Sequence, residues 1–145
     1  MFKHILIPTD GSARSAIALE KGLQLAKDAN ARVTVITVVE PPRLLTAETE
    51  RLRTIRKEIA EHASTEAAKF LERAALEAKR VGVPCETIKV QSDSPVQAII
   101  NAASKSNCDL ILMSSHGRHG LTGYVLSGIT QQILADCMIP VLIYH

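Results

Sequence analysis

The sequence predicts an α/β fold: a doubly wound, mainly parallel sheet with helices on both faces. The 145-residue chain alternates short apolar runs with helical patterns, which is the order of right-handed βαβ units. The interior strand patterns are apolar on both faces, as in strands that lie between two helical layers. With 46% hydrophobic residues, a chain of this length can bury its own core. We therefore expect residues 1–145 to form a single domain.

The first half of the chain predicts a strand, a helix, a second strand and a long helix. The apolar run Ile5–Ile7 is the first strand, and the turn Asp10–Ser12 opens the first helix. The β-branched segment 32–39 is the second strand. Residues 46–81 form the long helix, which Gly82 closes. The apolar faces expected to be buried are Ala16, Leu19, Leu23 and Ala26 in the first helix, and Leu52, Ile55, Ile59, Ala63, Ala67, Phe70, Ala74, Ala78 and Val81 in the second.

The second half predicts three more strands and two more helices. The segment Cys85–Val90 alternates apolar and polar residues, which is typical of a strand near a sheet edge. The pair Ser94-Pro95 supplies an N-cap and a first helical residue. A buried strand at 109–113 follows, and the final strand is Pro140–Tyr144. The helix between these strands carries the apolar residues Val125, Leu126, Ile129, Ile133 and Leu134.

Composition excludes several classes of partner. A formal charge of +2, with no Trp, two Phe and two Tyr, does not favour a nucleic-acid partner or a stacking platform for single strands. No apolar run reaches the roughly 18 residues that a membrane-spanning helix needs, and the N-terminus shows no targeting signal. Cys85, Cys108 and Cys137 have no C-x-x-C spacing, so we expect buried free thiols and a cytoplasmic setting.

The fold class itself indicates where a ligand would bind. In doubly wound sheets, ligands lie beyond the carboxyl ends of the strands, where the strand order reverses. The candidate loops are therefore Thr9–Ser12 and Ser114–Gly123. The second loop is rich in Gly, Ser and Thr and carries Arg118, which suits an anion at a helix N-terminus, but neither a Walker A nor a G-x-G-x-x-G pattern is present. Composition leaves phosphate binding and a merely flexible loop both open.

Individual side chains in these loops give weaker indications. Asp10 could bind a ribose hydroxyl or a divalent ion near phosphates, or it could cap the helix that follows. His116 and His119 are three residues apart, but no carboxylate or cysteine near them in sequence completes a metal site. Ser12 and Ser127 lack a G-x-S-x-G elbow. We therefore expect no catalytic residues and no tightly bound metal.

Four segments together resemble the universal stress protein family over essentially the whole chain: Ile5–Ser12, Val35–Glu40 followed by two prolines, Asp109–Gly117 and Pro140–Ile143. The resemblance implies strand order 3-2-1-4-5 in an adenine nucleotide alpha hydrolase-like fold and a cytoplasmic role in stress endurance. It also implies a homodimer made largely through the last strand. An apolar edge at Pro140–Tyr144 would favour aggregation unless a second copy covers it.

Family members that bind adenine nucleotide carry the motif G-x2-G-x9-G-[ST] after the fourth strand. The matching positions here are Ser114, Gly117, Ser127 and Gly128, so the spacing is kept while three of the residue types differ. The resemblance implies that Asp10 meets the ribose and the Mg²⁺-phosphate region and that Val38 meets adenine through its backbone. The expected nucleotide contacts are Pro8, Thr9, Asp10, Val38, Met113, Ser114, Ser115, His116, Gly117, Arg118, Gly120, Ser127, Gly128, Ile129 and Thr130.

Three functions remain open at this point. The first is a dimeric sensor or switch that binds ATP or AMP with Mg²⁺. The second is a stress-linked interaction protein whose nucleotide site is vestigial. The third is a slow ATPase or a protein that autophosphorylates on Ser114, Ser115 or Ser127, although no base is evident beside these hydroxyls.

Overall fold

Five parallel strands form one sheet in the order β3-β2-β1-β4-β5. The structure is a computed structural model, and it describes residues 1–42, 47, 49–115 and 128–145. The strand order confirms the predicted fold, and it reverses between β1 and β4. The elements are β1 His4–Pro8, α1 Ala13–Ala29, β2 Arg32–Val39, α2 Glu50–Val81, β3 Cys85–Gln91, α3 Pro95–Lys105, β4 Leu110–Ser114, α4 Gly128–Asp136 and β5 Val141–Tyr144.

The sheet separates two apolar cores. Successive side chains of a strand point to opposite faces, so Ile5 and Ile7 of β1 pack with α1 and α2, whereas Leu6 packs with α3 and α4. On β2, Val33 and Ile36 divide between the cores in the same way. Both faces of the central strands are therefore covered, as their apolar patterns predict.

Local chemistry sets three helix ends where the sequence placed them: the starts of α1 and α3 and the end of α2. The Ser12 hydroxyl accepts a hydrogen bond from the Ser15 N–H at 3.2 Å and caps α1. Ser94 accepts one from the Gln97 N–H at 3.3 Å and caps α3. Gly82 ends α2 at φ +82°, a left-handed conformation that glycine adopts without strain.

The buried face of α1 differs from the predicted one. Ala16 is exposed and Leu19 is half-buried, while Ser15, Ala18 and Gly22 are buried with Leu23 and Ala26. The reason is the close approach of α1 to β1, because a Cβ on Gly22 would lie 2.5 Å from Cδ1 of Ile7. The small residues thus face the sheet. The buried face of α1 is therefore rotated about the helix axis relative to the face that the larger apolar residues predicted.

The long helix α2 begins at Glu50, after the N-cap Thr49, and not at residue 46. Its predicted apolar face is buried only in the second half, from Ala67 onward, and the larger side chains near its start are exposed. Thirty-two residues span about 48 Å of helix, whereas strands of five to eight residues span about 17 to 26 Å. The helix is therefore too long for the sheet to cover. The exposed side chains are Leu52 at 49%, Ile55 at 42% and Ile59 at 63%.

The two sheet edges differ in character. Edge strand β3 alternates half-buried and exposed residues, which confirms the prediction for this segment. At the other edge, β5 exposes Leu142 and Tyr144. The preceding helix α4 begins at Gly128, and its Ile133 is buried while Ile129 and Leu134 are exposed, contrary to the predicted face. Val125 and Leu126 lie outside the described residues.

The cysteines are free, as predicted, but only one is fully buried. Cys108 is buried, whereas Cys85 and Cys137 are half-buried. Burial, helped by the neighbouring Asp109 carboxylate, raises the pKa of the Cys108 thiol to about 11. No helix in the described part of the chain is long and apolar enough to cross a bilayer.

A buried histidine lies at the amino-terminal edge of the sheet. His4 is 5% exposed, and its Nε2 shares a hydrogen bond of 2.7 Å with the Thr34 hydroxyl. Its Nδ1 has no hydrogen-bond partner of acceptable geometry among the described residues. Burial, followed by the positive charge of Arg32, lowers the pKa of His4 from its ordinary value of 6.5, and the backbone of Ser106 opposes this shift together with the nearby carboxylates.

This histidine predicts a loss of stability in mild acid. Below pH 6.5 the unfolded chain takes up a proton at His4 that the folded chain does not, so the free energy of unfolding falls as the pH drops from 6.5 toward the lowered pKa. The slope is at most about 1.4 kcal/mol per pH unit, that of one proton. Urea unfolding at pH 5, 6, 7 and 8 measures it. The variant His4→Gln should lose this slope, and an unchanged slope in that variant would assign it to other groups.

Candidate functional site

A cavity of about 770 Å³ lies at the carboxyl ends of β1, β2 and β4, where the strand order reverses. Its position agrees with the place that the fold class predicts for a ligand. The size is within the usual range of small-molecule sites. The lining residues are Pro8, Thr9, Asp10, Ser15, Ile36, Thr37, Val38, Val39, Glu40, Ile59, His62, Ala63, Glu66, Ala67, Phe70, Pro95, Ile99, Met113, Ser114, Gly128, Ile129 and Thr130.

Many of the residues assigned from the sequence come together around this cavity. They are Pro8, Thr9, Asp10, Val38, Met113, Ser114, Gly128, Ile129 and Thr130. Ser115 is buried and does not line the cavity, and its N–H donates to the Tyr144 carbonyl at 3.0 Å. The remaining assigned residues, His116, Gly117, Arg118, Gly120 and Ser127, lie outside the described residues, as does His119.

The loop after β1 is held by its own side chains. Asp10 Oδ1 accepts a hydrogen bond from the Ser12 N–H at 2.9 Å, and Thr9 Oγ1 accepts one from the Gly11 N–H at 3.4 Å. Thr9 Oγ1 also lies 3.1 Å from Ser15 Oγ in α1. Ser12, not Asp10, caps the helix, so Asp10 acts locally by fixing the turn before the cap.

Phe70 of α2 lies directly against this loop. A Cβ on Gly11 would lie 2.2 Å from Cζ of Phe70, and Gly11 has a φ of +79°. Position 11 thus needs glycine both for its backbone conformation and for the close approach of the ring. The ring borders the main cavity on one side and a second cavity of about 280 Å³ on the other.

One wall of the cavity comes from α2 and was missed from the sequence. This α2 wall consists of Ile59, His62, Ala63, Glu66, Ala67 and Phe70. Its apolar members were interpreted as core, because a helical pattern does not show whether its face meets a strand or a cavity. The sequence reading also missed Ser15, Ile36, Thr37, Val39, Glu40, Pro95 and Ile99. No signal in the sequence marked Thr37, since a threonine is ordinary in a strand.

Acidic side chains predominate among the charged groups in the described part of the cavity lining. It includes the carboxylates of Asp10, Glu40 and Glu66, and neither a lysine nor an arginine among the described residues. Glu66 is paired at 3.3 Å with Lys69, which is itself largely exposed. No group of three or more His, Cys, Asp or Glu that could hold a metal ion occurs in the ranges that the structure describes. The carboxylates of the described lining therefore repel a polyphosphate.

The start of α4 closes the opposite side of the cavity. The hydroxyl of Thr130, a fully buried residue, donates to the carbonyls of Ser114 and Ser115 at 3.5 Å, which ties the first turn of α4 to the end of β4. Gly128 is the first residue of this helix, and a Cβ there would meet no atom within 4 Å among the described residues. The positive end of the helix dipole therefore lies at the cavity, beside Ser114.

The chain matches the Universal stress protein family over residues 1–145. Universal stress protein YxiE of Bacillus subtilis (strain 168) is 30% identical over 147 residues, which cover 99% of each protein. A universal stress protein solved in complex with cAMP is 23% identical, with a TM-score of 0.73 over 99% of this chain and 97% of that chain. The universal stress protein from Archaeoglobus fulgidus in complex with dAMP is 16% identical, with a TM-score of 0.62 over 99% and 97%. These neighbours confirm the adenine nucleotide alpha hydrolase-like fold.

Proposed function

Because the chain belongs to the universal stress protein family, we propose that residues 1–145 form one domain that binds an adenine nucleotide and acts as a sensor or switch. The cavity at the reversal between β1 and β4 carries this proposal. Residues from β1, β2, β4 and α4 that the resemblance assigns to the nucleotide surround this single space. Two proteins of the same fold were solved with cAMP and dAMP, which supports the same ligand class here.

The chemistry of the lining favours one orientation of the nucleotide. The apolar part of the lining suits the faces of a purine base. The N-terminus of α4 at Gly128 suits phosphate groups, because the positive end of the helix dipole favours an anion there. Asp10 follows β1, the strand between β2 and β4. There it can accept hydrogen bonds from ribose hydroxyls or contact a Mg²⁺ ion that arrives with the phosphates.

The acidic lining predicts that tight binding of ATP needs Mg²⁺. Chelating the metal should weaken the binding of ATP more than that of AMP, because the triphosphate brings more negative charge toward Asp10, Glu40 and Glu66. Anion-exchange analysis of nucleotide released from the denatured protein, followed by calorimetric titration of ATP and AMP with and without Mg²⁺, tests the function and this prediction together. A protein that carries no nucleotide and gives no heat with millimolar ATP and Mg²⁺ would contradict the proposed function. Phosphate released in the same samples would instead favour the ATPase.

The glycine at position 128 offers a sharper prediction. Gly128→Ser places a hydroxyl where the family motif has Ser or Thr, and its Cβ would meet no atom of the described residues within 4 Å. One added hydrogen bond to phosphate should tighten ATP binding by about two- to tenfold. Gly128→Ala is the matched control, since it adds the Cβ without the hydroxyl and should leave the affinity within twofold of the unchanged protein. Equal affinities for the two variants would show that this position does not contact phosphate.

The second candidate function is that of an interaction protein whose nucleotide site is vestigial, and one observation favours it. Ser114 and Gly128, at two motif positions, both lie at the cavity rim with residue types that differ from the motif. This candidate acts in cytoplasmic stress endurance through its surfaces and predicts no dependence on nucleotide. The titration above separates the two candidates.

In either case we propose a homodimer made through Pro140–Tyr144. Strand β5 lies at the sheet edge and exposes Leu142 and Tyr144, and Met138 just before it is 98% exposed. A second copy that pairs with this edge would satisfy its backbone groups and cover its apolar side chains. Light scattering should give twice the chain mass of 15.7 kDa at micromolar concentration. A mass of one chain would contradict the dimer.

A further inference from the structure

A buried hydroxyl without a partner lies at the cavity. Thr37 of β2 is 4% exposed and belongs to the cavity lining, and among the described residues its Oγ1 has no hydrogen-bond partner. The preceding hydroxyl on the same strand, that of Thr34, is fully buried but bonded to His4 Nε2 at 2.7 Å. Burying a hydroxyl without a hydrogen bond costs about 1–3 kcal/mol. An unpartnered buried hydroxyl beside a cavity therefore indicates a functional role.

The position of Thr37 indicates which part of a ligand would reach it. By the alternation of β2, Thr37 shares the strand face of Val33 and Val35, which pack toward α1 and α2. The cavity surface contributed by α2 near this face is largely apolar, and its polar members are His62 and Glu66, whose carboxylate pairs with Lys69. Glu40, three residues after Thr37, adds a second carboxylate to the lining. Phosphate is disfavoured here, whereas a neutral, flat group with a hydrogen-bonding edge is favoured.

We infer that the Thr37 hydroxyl is a ligand-binding group that contacts the polar edge of the purine base. This inference rests on the proposed function and extends it to a residue that the family motif does not include. The Thr37 hydroxyl oxygen is shielded from solvent. A 120° rotation about the Cα–Cβ bond carries the threonine hydroxyl from one staggered position to another, including the position that the methyl group had held. That rotation presents the hydroxyl to the base, where it can donate or accept, and the ligand then supplies the missing partner.

The experiment compares Thr37→Val with Thr34→Val, two isosteric changes on one strand. Thr37→Val removes an unpaired hydroxyl, so its melting temperature should equal or exceed that of the unchanged protein, while AMP and Mg-ATP should each bind about two- to tenfold more weakly. The factor should be the same for both nucleotides, because they share the base. Thr34→Val removes a paired hydroxyl and should lower the melting temperature with affinities within twofold. Thr37→Ser keeps the hydroxyl and should retain most of the affinity.

Each result decides a different point. If the unchanged protein binds and Thr37→Val binds equally well, the Thr37 inference is wrong and the proposed function stands. A clear drop in the melting temperature of Thr37→Val would overturn the inference as well, because it would show that the hydroxyl is already satisfied in the empty protein. If the unchanged protein binds neither AMP nor Mg-ATP at millimolar concentration, the proposed function fails and the inference fails with it.

Discussion

Gly11→Ala should lower the free energy of unfolding by about 2–5 kcal/mol. A left-handed backbone costs an alanine about 1–2 kcal/mol, and Gly11 has a φ of +79°. The new methyl group would also lie 2.2 Å from the Phe70 ring, and overpacking of this kind costs about 1–3 kcal/mol. Urea denaturation followed by circular dichroism measures the total.

Gly82→Ala is the matched control for the backbone term. Gly82 has nearly the same φ, +82°, but a Cβ there meets nothing within 4 Å among the described residues. Gly82→Ala should therefore lower the free energy of unfolding by only about 1–2 kcal/mol. The difference between the two variants reports the contact with Phe70. Equal losses would mean that the ring moves aside at no cost, and that Phe70 does not hold the loop that carries Asp10.

Local chemistry explains why much of the fold could be predicted. Ser12 and Ser94 cap helices, and Gly82 ends one, because each of these side chains or backbone conformations acts within a few residues of sequence. The strand order could not be obtained in this way, since the pairing of β1 with β4 joins residues about a hundred positions apart. It came from the family resemblance, and the sheet confirms it.

The misassigned faces have a common physical cause. A helical pattern shows which residues share a face but not what that face meets. Gly22 carries no side chain and so gave no apolar signal, yet it is buried, and a Cβ there would lie 2.5 Å from Cδ1 of Ile7. Ile59 gave a strong apolar signal, yet it lies on a cavity wall and is 63% exposed. Side-chain size and hydropathy predicted burial well only where both sides of an element are packed, as in β1 and β4.

The same limit applies to the candidate site. The fold class indicated that a ligand lies beyond the carboxyl ends of the strands, and the family resemblance placed the reversal of strand order between β1 and β4. The contribution of α2 could not be predicted, because it depends on how far a helix of 32 residues extends past strands of five to eight. Thr37 was overlooked for a related reason. A threonine in a strand is ordinary in sequence, and only the structure shows that its hydroxyl has no partner among the described residues.

Asp10→Asn should weaken the binding of Mg-ATP by about 10- to 100-fold without changing the stability of the protein. The asparagine keeps an oxygen that can accept the Ser12 N–H, which Asp10 Oδ1 accepts at 2.9 Å, so the turn before α1 should persist. What the variant loses is the negative charge, and a hydrogen bond to a charged group contributes about 1.5–3 kcal/mol. Calorimetric titration gives the affinity, and thermal melting checks that the loop is intact.

Two further variants separate the role of Asp10 from the charge of the cavity as a whole. Glu40→Gln removes a carboxylate from the same lining, and because general repulsion would be relieved, Mg-ATP should bind as tightly as before or slightly more tightly. Asp10→Ala removes both the charge and the acceptor for Ser12, so it should lose affinity and stability together. If Asp10→Asn and Glu40→Gln both tightened binding, Asp10 would contribute only repulsion. Its place in the chain would then be explained by the turn that it makes with Ser12, and the nucleotide would have to be held by other groups.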